Sequence, residues 1–349
     1  MKKKITAIVC VLFLLSGCKA GEQEKNHAEQ ITTQISSEQS VENNEKVIDY
    51  NKIKPNEIGH IMIIMYHGIL DNPPYHRTKE DFIKDLQYLY DNNYRLISMN
   101  SYKLGKISIE AGCKPIVLTF DDGLPSTFSL EMLGGKLEVK KDTAIGIIEE
   151  FTKQHPDFGK GGVLYINGGT NAFQGEGTYK ERLQWLVDNG YEIGNHTFSH
   201  AKLSKLTKDE LIKEIGLVDS LIEENIKGYA ADTISYPHGI RPAEEFRSFA
   251  VNGIYNNNNY NYVIGLREGP SGPMFSFLDN GFDAMNCPRV RGSEGEEGDL
   301  WWWLNYYQDH QEYYYVSDGD VNTISISKEL ENRVNQEKIS KYGYKLNLY

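Results

Sequence analysis

The chain has 349 residues and a formal net charge of −12 at pH 7, from 37 Lys and Arg against 49 Asp and Glu. Basic clusters interleaved with aromatic side chains are missing from the sequence, which argues against nucleic acid as a partner. Beyond the first eighteen residues the cysteines are Cys113 and Cys287. They either pair in an oxidising compartment or remain buried thiols, and the sequence leaves both open.

The amino terminus reads as a processing segment. Three lysines, Lys2 to Lys4, precede an apolar run from Ile5 to Leu15 that is too short to span a bilayer as a mature helix. The ending Leu-Ser-Gly-Cys18 is similar to a bacterial lipobox, in which the cysteine carries the lipid. We expect residues 1–18 to be a lipoprotein signal peptide and the protein to be extracytoplasmic, lipid-anchored to the bacterial membrane. An ordinary secretory signal is the alternative.

Composition divides the rest of the chain. Residues 19–57 are polar and are predicted to form a disordered tether, because they cannot bury enough apolar surface to offset the entropy of ordering. Residues 58–349 are predicted to form one domain, a length common for α/β barrels. A glycine- and lysine-rich stretch near 130–162 is predicted to be a surface insertion.

Strand-like apolar runs alternate with helical patterns through most of the domain. Capping-box patterns begin at Thr178 and Thr207, and the second opens an amphipathic helix. Alternation of this kind predicts a parallel sheet with helices outside. The runs that we interpret as strands are 61–66, 116–120, 163–166, 191–194, 233–236, 262–265 and 313–316. The last is expected to pair with 323–326 across a hairpin turn at Asp318-Gly-Asp320.

Two carboxylates follow the second of these runs. Asp121 and Asp122 stand at the end of Ile116-Val-Leu-Thr-Phe, directly before Gly123. Asp-Gly is also a common turn signal. Because neighbouring strand residues point to opposite faces, the pair suits two tasks, one binding a metal and the other handling a proton.

Two histidines favour the functional interpretation. His196 and His200 are four residues apart in Gly194-Asn-His-Thr-Phe-Ser-His, and on a helix that spacing would place both imidazoles on one face. With Asp122 they would form a site of two imidazoles and one carboxylate for a divalent ion, with positions open to water and substrate.

These residues resemble the polysaccharide deacetylases of carbohydrate esterase family 4. The family motif TFDDG stands at residues 119–123, and H-[ST]-x-x-H stands at 196–200. The resemblance extends over about residues 58–330. It implies an irregular (β/α)7-type barrel, with Asp121 as the base and Asp122, His196 and His200 as metal ligands.

The resemblance also implies a catalytic histidine, an oxyanion contact and an arginine that orients the base. The usual late catalytic histidine motif is missing, although His310 is a loose candidate. A permuted subgroup, resembling the deacetylases of poly-N-acetylglucosamine export, carries that histidine early in a Tyr-His motif, which favours His67. The motif R-x-P-Y corresponds to residues 235–238, where Pro237 is kept and the backbone of His238 is expected to donate to the oxyanion.

The arginine of that motif is replaced by Ser235. Arg289 is a candidate to orient the base in its place, and a surface arginine is the other interpretation. The aromatic cluster Trp301–Trp303 suits contact with sugar rings or core packing, and the sequence leaves this open.

We therefore predict a metal-dependent deacetylase that removes N-acetyl groups from an amino-sugar polysaccharide. The expected cofactor is one divalent ion, zinc first, with cobalt, nickel or iron tolerated. The expected partners are the polysaccharide and, through the anchor, the membrane, with the protein a monomer. The alternatives are an O-acetyl esterase acting on a xylan-like glycan and an inactive sugar-binding lipoprotein.

Overall fold

The computed structural model describes residues 48–72, 75–268 and 274–349. The predicted signal peptide, with Cys18, and the predicted tether up to residue 47 lie outside the described residues. Within the described ranges, no helix combines the length and apolar character that crossing a membrane requires.

The described helices and strands alternate along the chain. The α-helices are α1 (Tyr50–Ile53), α2 (Lys79–Asp91), α3 (Met99–Leu104), α4 (Ala144–Gln154), α5 (Tyr179–Asp188), α6 (Lys208–Asn225), α7 (Ser248–Val251), α8 (Leu300–Asp309) and α9 (Gln336–Tyr342). The strands are β1 (His60–Tyr66), β2 (Tyr94–Leu96), β3 (Lys114–Phe120), β4 (Leu130–Leu133), β5 (Lys136–Val139), β6 (Val163–Ile166), β7 (Glu192–Asn195), β8 (Thr233–Ser235), β9 (Asn252–Tyr255), β10 (Asn258–Asn261), β11 (Ile264–Leu266), β12 (Met274–Phe275), β13 (Val290–Arg291), β14 (Thr323–Ile326) and β15 (Lys345–Leu348).

A curled sheet forms the centre of the fold. Its main path runs β11-β8-β7-β6-β3-β1 with parallel pairing, and β2 and β13 pair in parallel with β3 and β1. Between β11 and β1, Leu266 bridges to Cys287, and Val290 then pairs with Ile64. The segment 287–291 thus continues the sheet towards closure. The predicted α/β class, an irregular (β/α)7-type barrel, is confirmed.

Strand β1 shows how the sequence specifies two apolar faces. Met62 and Ile64 pack in one buried cluster that includes residues of the surrounding helices. Ile61 and Ile63 pack in a second cluster that includes residues of neighbouring strands and of α3. Because both faces of a parallel strand are covered, β1 is a continuous apolar run rather than an alternating one.

Two helices begin as the sequence predicts. The Thr178 hydroxyl accepts the Glu181 N–H at 3.2 Å, and the Glu181 carboxylate accepts the Thr178 N–H at 2.7 Å. Thr207 and Glu210 form the same capping box at the start of α6. One face of α6 then packs into the core through Leu211, Ile215, Val218 and Ile222.

The predicted hairpin near the carboxyl terminus is wrong. Gln311–Tyr313 form a 3-10 turn, and β14 pairs in parallel with β15 rather than with 313–316. The Asp318 side chain accepts hydrogen bonds from the Asp320 N–H and the Ser325 hydroxyl, so it stabilises a buried local turn. A strand-like pattern does not specify its partner, and here β15 supplies the partner from later in the chain.

The described fold begins before the predicted end of the tether at residue 57. Glu57 is buried, and its carboxylate accepts the N–H of Ser325 at 2.7 Å and the hydroxyl of Tyr315 at 3.2 Å. Tyr349 donates its hydroxyl to the carbonyl of Pro55 at 2.9 Å. Residues 55–57 therefore pack against the carboxyl-terminal part of the domain, a long-range contact that polar composition does not reveal.

Glu57 gives the domain a testable pH dependence. Burial, reinforced by Asp318, raises the pKa of Glu57 to about 8, against an ordinary value of 4.5. The folded protein thus binds a proton that the unfolded chain releases, and this stabilisation is lost as pH rises from about 5 through 8. We expect the free energy of unfolding to fall over that range, and Glu57→Gln to flatten the fall. Denaturant unfolding at several pH values measures it, with the exposed Glu224→Gln as control, and a wild-type curve rising with pH would contradict it.

The stretch predicted as an insertion contains two different structures. β4 and β5 pair as an antiparallel hairpin on residues 130–139. The following helix α4 buries Ile145, Ile148 and Phe151, and it belongs to the crossover between the parallel strands β3 and β6. Both structures lie in the connection from β3 to β6, and only the hairpin is additional to the crossover helix, so the structure does not support an insertion reaching residue 162.

The three tryptophans of α8 have different surroundings. Trp301 donates its indole N–H to Asp85 at 2.7 Å, and Trp303 stacks on Tyr307. Trp302 stacks on Tyr306 with ring centroids 5.4 Å apart. Trp301 and Trp303 pack partly against the core, because consecutive residues of a helix cannot all point to one face. Cys113 and Cys287 are both buried free thiols.

Candidate active site

The carboxyl ends of the parallel strands converge on one cavity of about 340 Å³. His67 directly follows β1, Asp121 follows β3, and His196 follows β7. Barrels of this class place their chemistry at this end of the strands. The predicted site residues that line the cavity are His67, Asp121, Asp122, His196, His200, His238 and Arg289.

Asp122, His196 and His200 form a candidate metal site. Asp122 Oδ1 lies 3.5 Å from His196 Nε2 and 3.6 Å from His200 Nε2, and the three potential ligand atoms lie within 4.8 Å of one another. His196 Nδ1 lies 2.8 Å from the carbonyl oxygen of Ser235, to which it donates. That bond places the ring proton on Nδ1, so the lone pair of Nε2 can bind a metal ion. Two imidazoles and one carboxylate suit a divalent ion such as zinc.

Burial and neighbouring charges have opposite effects on the pKa of His196. Burial alone would lower the pKa of His196, but the carboxylates of Asp121 and Asp122 outweigh it and raise that pKa. The same imidazole helps to hold the pKa of Asp122 below its ordinary value, against the opposing effect of burial. The cluster therefore concentrates negative charge around two imidazoles, as a cation site requires.

Residues 196–200 do not form the helix on which the i, i+4 spacing would place both imidazoles on one face. Thr197 and His200 have φ of +63° and +56°, in the left-handed region, and the segment is an irregular turn after β7. Asp122 is left-handed as well, with φ of +73°. Its carboxylate is therefore directed by a tight turn rather than by the alternation of a strand. The ligands meet through three left-handed residues, which the i, i+4 spacing does not predict.

Side chains from neighbouring elements hold this turn. Asn195 Oδ1 accepts the Thr197 N–H at 2.8 Å, and Asn167 Nδ2 donates to the His196 carbonyl at 2.8 Å. Glu214 on α6 accepts both the N–H and the hydroxyl of Ser199, each at 2.8 Å. Glu214 thus fixes the residue before His200 through two hydrogen bonds.

We expect Glu214→Ala to weaken divalent-metal binding by about tenfold, as loss of groups that orient metal ligands commonly does. The physical reason is that Ser199 loses both acceptors, so His200 samples positions away from Asp122. Titration of the metal-free protein with zinc measures the change. Glu224→Ala, an exposed position on the same helix, is the control. Equal zinc affinity in the Glu214 variant and wild type would contradict the prediction.

Asp121 lies in a buried ion pair. Arg289 Nη1 and Nη2 donate to the two carboxylate oxygens of Asp121 at 2.8 and 2.6 Å, and the Ser235 hydroxyl donates at 3.1 Å. Burial opposes ionisation, yet the guanidinium and the imidazole of His196 hold the pKa of Asp121 well below its usual range. Asp121 is therefore ionised at neutral pH. Its Oδ2 lies 3.9 Å from His196 Nε2, beside the candidate metal site.

Arg289 is itself rigidly held. Its Nε donates to the carbonyl of Arg267 at 3.1 Å, and Nη1 also donates to the Thr119 hydroxyl at 3.1 Å. The arginine thus reaches Asp121 from the segment that leads into β13. Of the two interpretations that the sequence left open for Arg289, the surface arginine is wrong, because this side chain is fully buried.

The two candidate histidines lie in different places. His67 is half-buried in the cavity wall, and the centroid of its ring lies 5.7 Å from that of Tyr75. Its Nδ1 has no hydrogen-bond partner among the described residues. His310 ends α8 outside the cavity lining, where it stacks on Tyr306 and lies 3.6 Å from Glu312. Position favours His67 over His310.

Pro237 and His238 begin the turn after β8. Pro237 is buried, and His238 has a left-handed φ of +57°. The ring of His238 is exposed and lies edge-on to His200, with centroids 4.5 Å apart. The turn therefore borders the metal site, where the sequence placed an oxyanion contact.

Four cavity residues were missed by the sequence analysis: Tyr75, His76, Tyr236 and Glu268. His76 is half-buried, and burial together with the neighbouring His67 lowers its pKa. It comes from the loop between β1 and α2, nine residues after His67, and no spacing motif identifies it. A second histidine so close to His67 is a matched comparison for any test of His67.

Comparisons with known proteins agree with this geometry. Residues 108–254 match the family model described as Polysaccharide deacetylase. YxkH of Bacillus subtilis (strain 168), provisionally named a polysaccharide deacetylase, is 23% identical over 300 residues, covering 82% of this chain and 94% of its own.

Two solved structures share the fold. The deacetylase PplD of Streptococcus pyogenes, in complex with acetate, aligns with a TM-score of 0.51 and 16% identity over 71% of this chain and 98% of its own. A polysaccharide deacetylase from Bacillus cereus aligns with a TM-score of 0.51 and 18% identity, over 71% of this chain and 69% of its own. Residues 108–254 are therefore similar to the polysaccharide deacetylases, and YxkH is similar to this chain over most of both lengths.

Proposed function

We propose that the protein is a metal-dependent hydrolase that removes N-acetyl groups from the amino sugars of a cell-surface or wall polysaccharide. One observation carries the proposal: a cluster able to bind a divalent ion lies beside a buried, ionised aspartate in a single open cavity. A divalent ion bound there would polarise the acetamide carbonyl and make an attacking water more acidic.

The chain's own residues would perform the proton transfers. Asp121, ionised and fixed by Arg289, accepts the proton of the attacking water. The backbone N–H of His238 donates to the oxygen that becomes negative in the tetrahedral intermediate. His67 donates a proton to the departing amine, which is a very poor leaving group without it.

Acetate release tests this proposal. Purified protein, stripped of metal with a chelator and then reloaded with zinc, cobalt, nickel or iron, is incubated with chitooligosaccharides, peptidoglycan and acetylated xylan. We expect metal-restored release from N-acetylated substrates. Release from acetylated xylan alone would identify an O-acetyl esterase, and no release from any substrate would contradict a hydrolytic function.

The amino-terminal pattern supports a second part of the proposal, that the protein is lipid-anchored at Cys18 and acts outside the cytoplasm. Cys18→Ala is expected to leave the protein uncleaved or released from the membrane fraction, because the lipid-bearing thiol is lost. Membrane fractionation and mass spectrometry of the mature amino terminus measure this. Wild-type protein that is soluble and begins beyond residue 18 without modification would contradict it.

A further inference from the structure

A fully buried carboxylate lies outside the lining of the catalytic cavity, at Asp85 of α2. It accepts four hydrogen bonds. The Tyr66 hydroxyl donates at 3.0 Å, Arg77 Nε and Nη2 donate at 2.9 and 2.8 Å, and Trp301 Nε1 donates at 2.7 Å. Three separate segments of the chain, which end β1, precede α2 and begin α8, therefore meet on one carboxylate.

Stability alone does not account for a carboxylate at this position. Phe82, Leu86 and Leu89 share the buried face of α2 with Asp85, and its ion-pair partner Arg77 is buried as well. Apolar side chains in place of a buried ion pair often leave a fold equally stable or make it more stable. The presence of the charge therefore indicates that the groups bound to Asp85 must be held in fixed positions.

These groups lie on both sides of His67 in the chain. Tyr66 directly precedes His67, and its side chain is bound to Asp85. The Arg77 N–H donates to the Gly68 carbonyl at 3.1 Å, and the Arg77 carbonyl accepts the Leu70 N–H at 3.0 Å. The same carboxylate thus holds the residue before His67 through a hydroxyl, and the residues after it through the backbone of Arg77.

The position of the His67 ring depends on this backbone. The Thr127 hydroxyl donates to the His67 carbonyl, whereas Nδ1 of the ring has no hydrogen-bond partner among the described residues. Tyr75 and His76, which line the same cavity, directly precede Arg77. Displacement of Arg77 would therefore move the cavity wall around His67 together with the backbone that carries its imidazole.

We propose that Asp85 is a positioning residue for His67, which fixes the backbone on both sides of the imidazole and so keeps the ring within reach of the departing amine. The inference rests on the proposed function and adds to it a residue outside the cavity. It also gives Trp301 a role other than sugar contact, because its indole N–H completes the set of donors around the carboxylate.

Tyr66→Phe tests the inference with a small change, since it removes one donor from Asp85 and keeps the ring. We expect kcat on an N-acetylated amino sugar to fall about tenfold, because small displacements of a catalytic group are costly, and KM to stay within about twofold of wild type. On an activated aryl acetate, whose leaving group needs no proton from His67, the rate should stay within about twofold. Asp85→Asn should show the same pattern with a larger loss.

Two further variants separate positioning from a general effect on the fold. Tyr90→Phe is the matched control, because Tyr90 lies on the same helix and donates to another carboxylate, Asp157, at 2.9 Å outside the cavity. It should change neither rate. In a His67→Ala background, Tyr66→Phe should cause no further loss, because the group that it positions is gone. An unchanged kcat in Tyr66→Phe, equal losses on the two substrates, or a further tenfold loss in the His67→Ala background would each overturn the inference.

A measurement without turnover distinguishes this inference from the proposed function. NMR spectra of protein carrying isotope-labelled histidine report on the His67 ring, whose signal is assigned by its absence from His67→Ala. We expect that signal to shift or broaden in Tyr66→Phe and in Asp85→Asn, and to stay unchanged in Tyr90→Phe. If wild-type protein releases no acetate, the proposed function fails, and the shifted signal still supports positioning of His67 by Asp85. A His67 signal that is unchanged in both variants would overturn it.

Discussion

Asp121→Asn is expected to lower acetate release by about 10²- to 10⁴-fold, the usual contribution of a positioned general base. Asparagine keeps the shape of the side chain but cannot accept the proton of the attacking water. Because Asp122, His196 and His200 are unchanged, the variant should still bind one divalent ion. Metal analysis together with acetate release measures both properties.

The metal-ligand variants supply the contrast. His200→Ala should lose most bound metal along with activity, since two remaining ligands rarely hold a divalent ion tightly. If Asp121→Asn lost metal to the same extent as His200→Ala, the roles of the two carboxylates would be assigned wrongly.

Asp121→Asn should also lower the stability of the fold. Arg289 is fully buried, and losing its partner leaves a buried charge unpaired, which typically costs about 3–5 kcal/mol. The double variant Asp121→Asn/Arg289→Gln should recover part of this stability and none of the activity. Thermal unfolding measures the recovery. A double variant that is no more stable than Asp121→Asn would show that the ion pair does not govern stability here.

His67→Ala is expected to keep the fold and the metal but to lose about 10²- to 10⁴-fold in rate on an N-acetylated amino sugar. Histidine exchanges protons near neutral pH, and an amine leaves only when it is protonated. An activated aryl acetate has a leaving group that needs no proton, so the loss on that substrate should be much smaller. Steady-state rates on the two substrates measure the difference.

Two histidines serve as controls for this prediction. His76→Ala changes the same cavity wall, and His310→Ala changes a histidine outside the cavity. Neither should show the substrate-dependent loss. If His76→Ala or His310→Ala showed it in place of His67→Ala, or if His67→Ala affected both substrates equally, His67 would not be the acid.

The positions of the site residues along the chain were predictable because they follow apolar strands. His67, Asp121 and His196 each come directly after a strand that the sequence indicates, and parallel strands bring such ends together. The geometry within the site was less predictable. Thr197 and His200 have a left-handed backbone and do not lie on a helix, and neither residue is a glycine, the residue type that would indicate this conformation in the sequence.

Contacts between distant parts of the chain account for the other differences. Asp121 and Arg289 are 168 residues apart, and Glu57 and Ser325 are 268 apart. Patterns within a short stretch of sequence do not indicate which of many distant residues a side chain will contact. The same limit explains why the tether boundary was placed too late and why β14 was given the wrong partner.

The direction of β1 determines where the described chain enters the domain relative to the candidate active site. Residues 55–57 pack at the amino end of β1, whereas His67 and the cavity lie at its carboxyl end, about 20 Å away along a seven-residue strand. The described chain therefore enters the domain at the end opposite to the cavity. The proposed substrate, a polymer, can therefore approach the cavity without passing the point at which the described chain enters the domain.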